Sequence, residues 1–123
     1  MQYRSLGRSG LRVSEISLGS WLTYGATVDV AAASRIVACA LELGINLFDT
    51  ADVYANGAAE ESLREALRGV ARHKVVIATK AFFPMSDDVN DRGLSRKHLF
   101  ESVEASLRRL GTDYVDIWYL HRD

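Results

Sequence analysis

The chain has 123 residues, 48% hydrophobic and 25% charged, which is the balance of an ordinary globular domain with one modest core. Its 15 Lys and Arg against 16 Asp and Glu give a net charge of −1, which offers no electrostatic case for binding nucleic acid or an anionic membrane. Polar and basic residues follow Met1, and no apolar run approaches the ~18 residues of a membrane span. The default expectation is therefore a cytoplasmic protein.

Two short, partly apolar runs open the chain and predict a β-hairpin over residues 2–16. The runs are Gln2 to Leu6 and Leu11 to Ile16, and the turn Gly7-Arg8-Ser9-Gly10 separates them. The next run, Ile16 to Gly19, predicts the first strand of a parallel sheet. Trp21 follows it on a loop, where an indole either stacks on a flat ligand or packs over the strand ends.

Four apolar runs predict buried parallel strands. They end at Gly19, Asp49, Lys80 and His121. Since the carboxyl ends of parallel strands meet at one rim, where α/β proteins collect functional groups, we expect Asp49, Lys80 and His121 to lie together. Tyr54 joins them from the loop after Asp49.

Three amphipathic segments predict helices that cover the sheet. They span residues 30–43 with Asp29 as N-cap and Gly44 at the end, about 58–70, and 96–110 between Ser95 and Gly111. In the second helix, Glu60 and Arg64 lie at i, i+4 and are interpreted as a solvated face. Cys39, the one cysteine, is expected to be a buried, inert thiol in the first helix.

A long polar connection runs from Ala81 to Leu94 and leaves the same rim as Lys80. Loops of this length in compact domains are commonly functional or mobile. Its aromatic pair Phe82-Phe83 is interpreted either as a wall of a substrate pocket or as ordinary packing.

The polar residues at the rim are the types that carbonyl reduction requires. Hydride reduction needs a proton donor for the carbonyl oxygen, and the phenol of Tyr54 is the candidate acid. A neighbouring ammonium stabilises the phenolate, and a carboxylate positions that ammonium, which are roles for Lys80 and Asp49. His121 would orient or polarise the carbonyl oxygen, or relay the proton. Singly, each has a structural explanation: a rim ion pair, loop packing, or a partly buried histidine.

These residues and their neighbours resemble the aldo-keto reductases. The resemblance rests on Phe48-Asp49-Thr50-Ala51-Asp52-Val53-Tyr54, Thr79-Lys80, Leu120-His121, Leu18-Gly19-Ser20-Trp21 and the opening Tyr3 to Ser14. Within that family, Gly93 to His98 and Ser102 to Leu107 are most similar to the branch that includes the β-subunits of voltage-gated potassium channels. The resemblance implies an α/β (β/α)8 TIM barrel, with residues 2–16 as a hairpin across its floor.

The resemblance also implies a function and a cofactor. It assigns Asp49, Tyr54, Lys80 and His121 to the catalysis of NADPH-dependent reduction of small aldehydes or ketones to alcohols, with no metal. Ser20, Trp21, Asp49 and Lys80 would hold the nicotinamide end of NADPH. The alternative is a cofactor-bound regulatory subunit like a potassium channel β-subunit. Channel β-subunits typically carry asparagine where this chain has His121, which favours the enzyme. The expected partner is the small-molecule carbonyl substrate, and homo-oligomer formation stays open.

Length adds one expectation. A closed (β/α)8 barrel takes roughly 200 residues or more, so residues 16–123 are expected to supply its first four β/α steps. That amino-terminal half would have unpaired sheet edges. It would lack the loops after strands seven and eight, where barrels commonly bind phosphate. The isolated 123-residue polypeptide is therefore expected to be an inactive fragment.

Overall fold

The computed structural model describes all 123 residues. An antiparallel hairpin precedes a four-stranded parallel sheet whose strands lie side by side in chain order. The hairpin strands are β1 (Tyr3–Ser5) and β2 (Arg12–Ser14), and the parallel strands are β3 (Leu18–Gly19), β4 (Leu47–Asp49), β5 (Val76–Ala81) and β6 (Ile117–Leu120). The helices α1 (Val30–Glu42), α2 (Ala58–Ala66) and α3 (Arg96–Leu110) follow β3, β4 and β5. The predicted hairpin and strand–helix alternation are confirmed.

The helix ends show the capping chemistry that the sequence predicts. The Asp29 carboxylate accepts a 2.7 Å hydrogen bond from the Ala32 amide at the start of α1, and Ser95 Oγ accepts one of 3.1 Å from His98 N at the start of α3. Gly111 ends α3 in a left-handed conformation with φ of 66°. Helix α2 ends at Ala66, four residues before the predicted end. None of the helices combines the length and the apolar composition needed to cross a membrane.

The apolar core lies between the sheet and the first two helices. Phe48 on β4 is fully buried, and α1 contributes Ala33 and Val37 while α2 contributes Leu63. Fully burying a Val, Leu or Phe side chain stabilises the fold by roughly 1.5–3 kcal/mol relative to leaving it exposed. Cys39 lies off the buried stripe of α1 and is exposed, so its predicted burial is wrong.

The hairpin is attached to the amino end of β4 through Asn46. Its Oδ1 accepts a 2.8 Å hydrogen bond from the Ser14 amide, and its own amide donates to Ser14 Oγ at 3.1 Å. Asn46 Nδ2 donates to the Arg12 carbonyl at 3.1 Å, and Tyr3 Oη donates to the Gly44 carbonyl at 2.7 Å. The hairpin is therefore held by specific polar contacts.

The layer between β5 and α3 is polar rather than apolar. Helix α3 buries His98, Ser102 and Ser106 on this side. The apolar spacing of α3 predicts Leu99, Val103, Leu107 and Leu110 as inward residues; Leu110 is buried as predicted, whereas the other three are only half-buried. Asp52, on the loop after β4, accepts a 2.9 Å hydrogen bond from Ser102 Oγ, and burial raises the pKa of its carboxyl.

Glu60 belongs to the same layer, and its predicted place on a solvated face is wrong. The residue is fully buried, and its carboxylate accepts a 2.6 Å hydrogen bond from Arg109 Nε of α3. The predicted partner, Arg64, is exposed. Spacing along the sequence identifies neighbouring charges on α2 itself. It does not show that Arg109 of α3 lies beside the buried Glu60 carboxylate.

Candidate active site

Lys80 is the hub of the polar cluster at the carboxyl rim of the sheet. Its Nζ donates hydrogen bonds of 2.7 Å to Asp49 Oδ2, 2.7 Å to the Thr50 carbonyl and 3.1 Å to Tyr54 Oη. An ammonium has three N–H donors, and these three acceptors use all of them. The Lys80 side chain is 13% exposed, so its position is fixed by contacts rather than by solvent.

The parallel register of β4 and β5 places these groups side by side. Asp49 pairs with Ala78, so the Lys80 side chain, two residues further along β5, lies on the same face. Beyond β4 the chain stays attached to β5, because Thr50 N donates to the Ala78 carbonyl at 2.9 Å and Asp52 N to that of Lys80 at 3.2 Å. This pairing carries the loop back over Lys80 and presents Tyr54 to its ammonium.

A cavity of about 590 Å³ opens beside Tyr54. Its lining is mostly aromatic and apolar and consists of Trp21, Leu22, Tyr24, Ala26, Val53, Tyr54, Ala55, Phe83, His121 and Arg122. Asp49, Lys80 and Ser20 are not in the lining. Lys80 adjoins the cavity through its hydrogen bond to Tyr54, and Asp49 is bonded to Lys80 in turn. The buried Ser20 donates from Oγ to the Asp49 carbonyl at 3.1 Å.

Aromatic rings form the walls of this cavity. His121 contacts Tyr54 and Phe83 edge-on, with ring centroids 5.8 Å and 4.9 Å away. Trp21 lies 6.4 Å from the Tyr54 ring and is 64% exposed at the mouth. Phe82 packs edge-on against Phe83 at 5.3 Å without lining the cavity. Phe83 thus lines the cavity, whereas Phe82 makes a packing contact.

His121 is brought to the cluster by β6, and its backbone amide donates to the Ala81 carbonyl at 3.0 Å. Burial lowers the pKa of His121 below its usual 6.5, and the positive charges of Lys80 and Arg122 lower it further. The Asp49 carboxylate acts in the opposite direction. The imidazole is therefore neutral at pH 7, with one ring nitrogen that donates and one that accepts.

We expect His121 to remain neutral on acidification past pH 6.5, its unperturbed pKa. The unfolded chain then binds more protons than the folded chain, so the stability that this residue contributes above pH 6.5 is lost as pH falls toward the folded-state pKa. An NMR titration of the ring carbons, with His121→Gln to assign the resonance, measures this directly. A midpoint at or above that of a model peptide would contradict the expected shift.

Several lining residues were not predicted from the sequence. Tyr24 is 3% exposed, and its buried Oη has no hydrogen-bond partner in the protein. Leu22, next to Trp21, has a left-handed backbone with φ of 67°. No periodic pattern marks either residue, whereas Arg122 could have been placed at the rim because it directly follows His121.

Comparison with known proteins identifies the family of this chain. A model of the aldo/keto reductase family matches residues 15–123. A protein of Arabidopsis thaliana named "Probable voltage-gated potassium channel subunit beta" is 51% identical over 124 positions, which cover 99% of this chain and 38% of the relative. The protein of the same name from Oryza sativa subsp. japonica is 50% identical, and the match again covers 99% of this chain and 38% of the relative.

A solved structure gives the corresponding three-dimensional match. "Aldo-keto reductase AKR11C1 from Bacillus halodurans (holo form)" superposes with a TM-score of 0.82 at 39% identity, over 98% of this chain and 40% of that chain. This chain spans about 38% of the length of the curated relatives. The predicted resemblance to this family, to its channel β-subunit branch and to its barrel fold is confirmed. The chain belongs to the aldo/keto reductase family.

Proposed function

We propose that the protein carrying this chain is an NADPH-dependent carbonyl reductase, with Tyr54 as the acid that protonates the carbonyl oxygen. The observation that carries the proposal is the 3.1 Å hydrogen bond from Lys80 Nζ to Tyr54 Oη. Because Oη accepts this bond, the phenol must direct its own proton elsewhere, and Tyr54 lines the cavity. A proton donor at the cavity wall is what reduction of a carbonyl requires.

Each neighbour of Tyr54 has a distinct role in this proposal. The Lys80 ammonium stabilises the negative charge that develops on the phenol oxygen as its proton leaves. The Asp49 carboxylate, 2.7 Å from Lys80 Nζ, positions the ammonium and balances its charge. His121 is neutral and 5.8 Å from the Tyr54 ring, so its imidazole can hold the carbonyl oxygen by a hydrogen bond without competing as an acid.

The residues present fit the nicotinamide end of NADPH, which supplies the hydride when bound. The mouth of the cavity has an exposed flat surface, the indole of Trp21, for a planar ring. Two lining residues, Tyr24 and His121, also have a buried polar atom without a protein partner, which suits a ligand with amide or carbonyl groups. Ser20 contributes indirectly, by joining the Trp21 loop to the Asp49 carbonyl.

The test is made on the full-length protein that carries these residues. NADPH binding is followed by the fluorescence of the nicotinamide, and turnover by loss of NADPH absorbance with aromatic aldehydes, with the alcohol identified by chromatography. Saturable binding together with alcohol formation supports the proposal. An absence of NADPH binding would remove it, because every assigned role depends on a hydride from that cofactor.

A regulatory subunit is the second candidate, and the relatives named as potassium channel subunits favour it. It predicts tight NADPH binding with little turnover. His121 separates the two candidates, because an asparagine at this position retains hydrogen bonding but loses the imidazole. In an enzyme, His121→Asn is expected to lower kcat by about tenfold or more while NADPH binding changes little. Equally low turnover in the wild type and in His121→Asn would favour the regulatory subunit.

A further inference from the structure

The turn that carries Tyr54 is held in an unfavourable backbone conformation. Ala55 and Asn56 both have φ of 49°, and Gly57 has φ of 95°, so three left-handed residues follow Tyr54 in succession. Glycine and asparagine adopt this conformation readily, but it is disfavoured for Ala55 because of its Cβ, and such a residue persists there only where surrounding contacts impose it. Contacts from outside the turn are therefore expected to hold Ala55, and with it Tyr54, in place.

Glu60, in the first turn of α2, makes the connection from this segment to the rest of the site. The fully buried carboxylate accepts 2.6 Å hydrogen bonds from Thr79 Oγ1 on β5 and from Arg109 Nε on α3. Arg109 is itself fixed by a 3.3 Å hydrogen bond from Nη2 to Ser106 Oγ. One carboxylate thus ties the start of α2 to a strand and to a helix.

Both ends of this connection adjoin the proposed catalytic groups. Thr79 immediately precedes Lys80, and side chains alternate along a strand, so β5 presents Thr79 to Glu60 and Lys80 to Tyr54. At the other end, Arg109 packs directly against the turn, since a Cβ added at Gly57 would lie only 2.8 Å from Arg109 Cδ. Glu60 and Arg109 therefore link β5, which carries Lys80, to the turn that follows Tyr54. The separation of these two segments sets the distance between Lys80 Nζ and Tyr54 Oη.

We propose that Glu60 and Arg109 are positioning residues that set the approach of Tyr54 to Lys80 by holding the left-handed turn between β5 and α3. The inference rests on the proposed reductase function and adds to it two residues outside the cavity. A buried ion pair frequently adds little to net stability compared with uncharged groups of similar size. Removing the ion pair can therefore leave the protein folded, and a loss of kcat would then reflect the position of Tyr54 rather than a loss of stability.

The main test is the double variant E60Q/R109M in the full-length protein. The glutamine amide oxygen of this variant can still accept from Thr79, and removal of both charges leaves neither one buried and unpaired. The expected result is a loss of about tenfold or more in kcat, because a misplacement near one ångström can lower the rate by roughly 100-fold. The Kd for NADPH is expected to stay the same, and NMR contacts between the Tyr54 and His121 rings to weaken.

Two further variants complete the design. Arg108→Met removes the neighbouring charge on α3, which is exposed and makes no ion pair, and is expected to leave kcat and the ring contacts unchanged. Arg109→Lys retains a cation beside Glu60 but loses the planar guanidinium with its several donors. Its kcat and its ring contacts are expected to lie between those of the wild type and those of the double variant. Circular dichroism establishes which variants are folded.

The outcomes separate this inference from the proposed function. If the folded double variant keeps its ring contacts and a kcat within about twofold of the wild type, the positioning role is wrong. If the double variant does not fold, Arg109→Lys decides, and wild-type contacts and kcat in that variant overturn the inference. If the wild type reduces no carbonyl, the proposed function fails, and the ring contacts alone decide whether Glu60 and Arg109 position Tyr54.

Discussion

Replacing Tyr54 by phenylalanine is expected to lower the rate of carbonyl reduction in the full-length protein by about 100-fold or more. The substitution keeps the ring that contacts Trp21 and His121 and removes only the hydroxyl. NADPH binding is expected to change little, since the phenol proton is needed only as charge develops on the carbonyl oxygen. Single-turnover kinetics with saturating NADPH measures the chemical step directly.

Tyr114→Phe is the matched control for that experiment. Its ring stacks on the Arg72 guanidinium at 3.9 Å, before the start of β6, and it does not line the cavity. Loss of this second hydroxyl is expected to leave the rate unchanged. A Tyr54→Phe variant that keeps more than about a tenth of the wild-type rate would remove Tyr54 from the proton-transfer step.

The sequence was sufficient to place the candidate site because polar or charged residues mark the carboxyl ends of the predicted strands. Each apolar run stops at or next to a polar residue, and the register of the parallel strands brings Asp49 and Lys80 together. The loop after β4 then adds Tyr54 within hydrogen-bonding distance of Lys80. The helix caps at Asp29 and Ser95 are equally local, since a cap depends on residues within one turn of it.

The contacts behind the site are not local, and the sequence did not reveal them. Glu60 and Arg109 are separated by 49 positions, so nothing in the i, i+4 pattern of α2 shows that its carboxylate turns inward. The same holds for α3, where only Leu110 of the four residues predicted to face inward is buried, and where the polar residues His98 and Ser102 are buried as well. Ser102 is buried there with a partner from the opposite side, because its Oγ donates to the Asp52 carboxylate.

The left-handed turn after Tyr54 also escaped prediction. Gly57 and Asn56 are residue types that adopt a positive φ readily, whereas Ala55 is not and adopts one under constraint from its surroundings. Strain of this kind is set by tertiary contacts, and the packing of Arg109 against Gly57 is one of them. A local sequence pattern therefore predicts a loop at this point but not its conformation.

Replacing Lys80 by methionine is expected to have an effect as large as loss of the phenol. The change keeps the length of the side chain but leaves Asp49 Oδ2, the Thr50 carbonyl and Tyr54 Oη without their shared donor. Removing one such donor from a preorganised site typically lowers kcat by about 10²–10³-fold. Because no ammonium then stabilises the phenolate, the pH dependence of the residual activity is expected to move to higher pH.

The control for this variant is Lys74→Met, which removes an exposed ammonium in the turn before β5 and is expected to leave both kcat and the pH profile unchanged. Rate and pH profile test different roles of Lys80. A loss of rate with an unmoved profile would show that Lys80 orders the loop of Tyr54 without acting on the phenol. A full rate in Lys80→Met would contradict both roles, since the three acceptors around Nζ would then be dispensable to the chemistry.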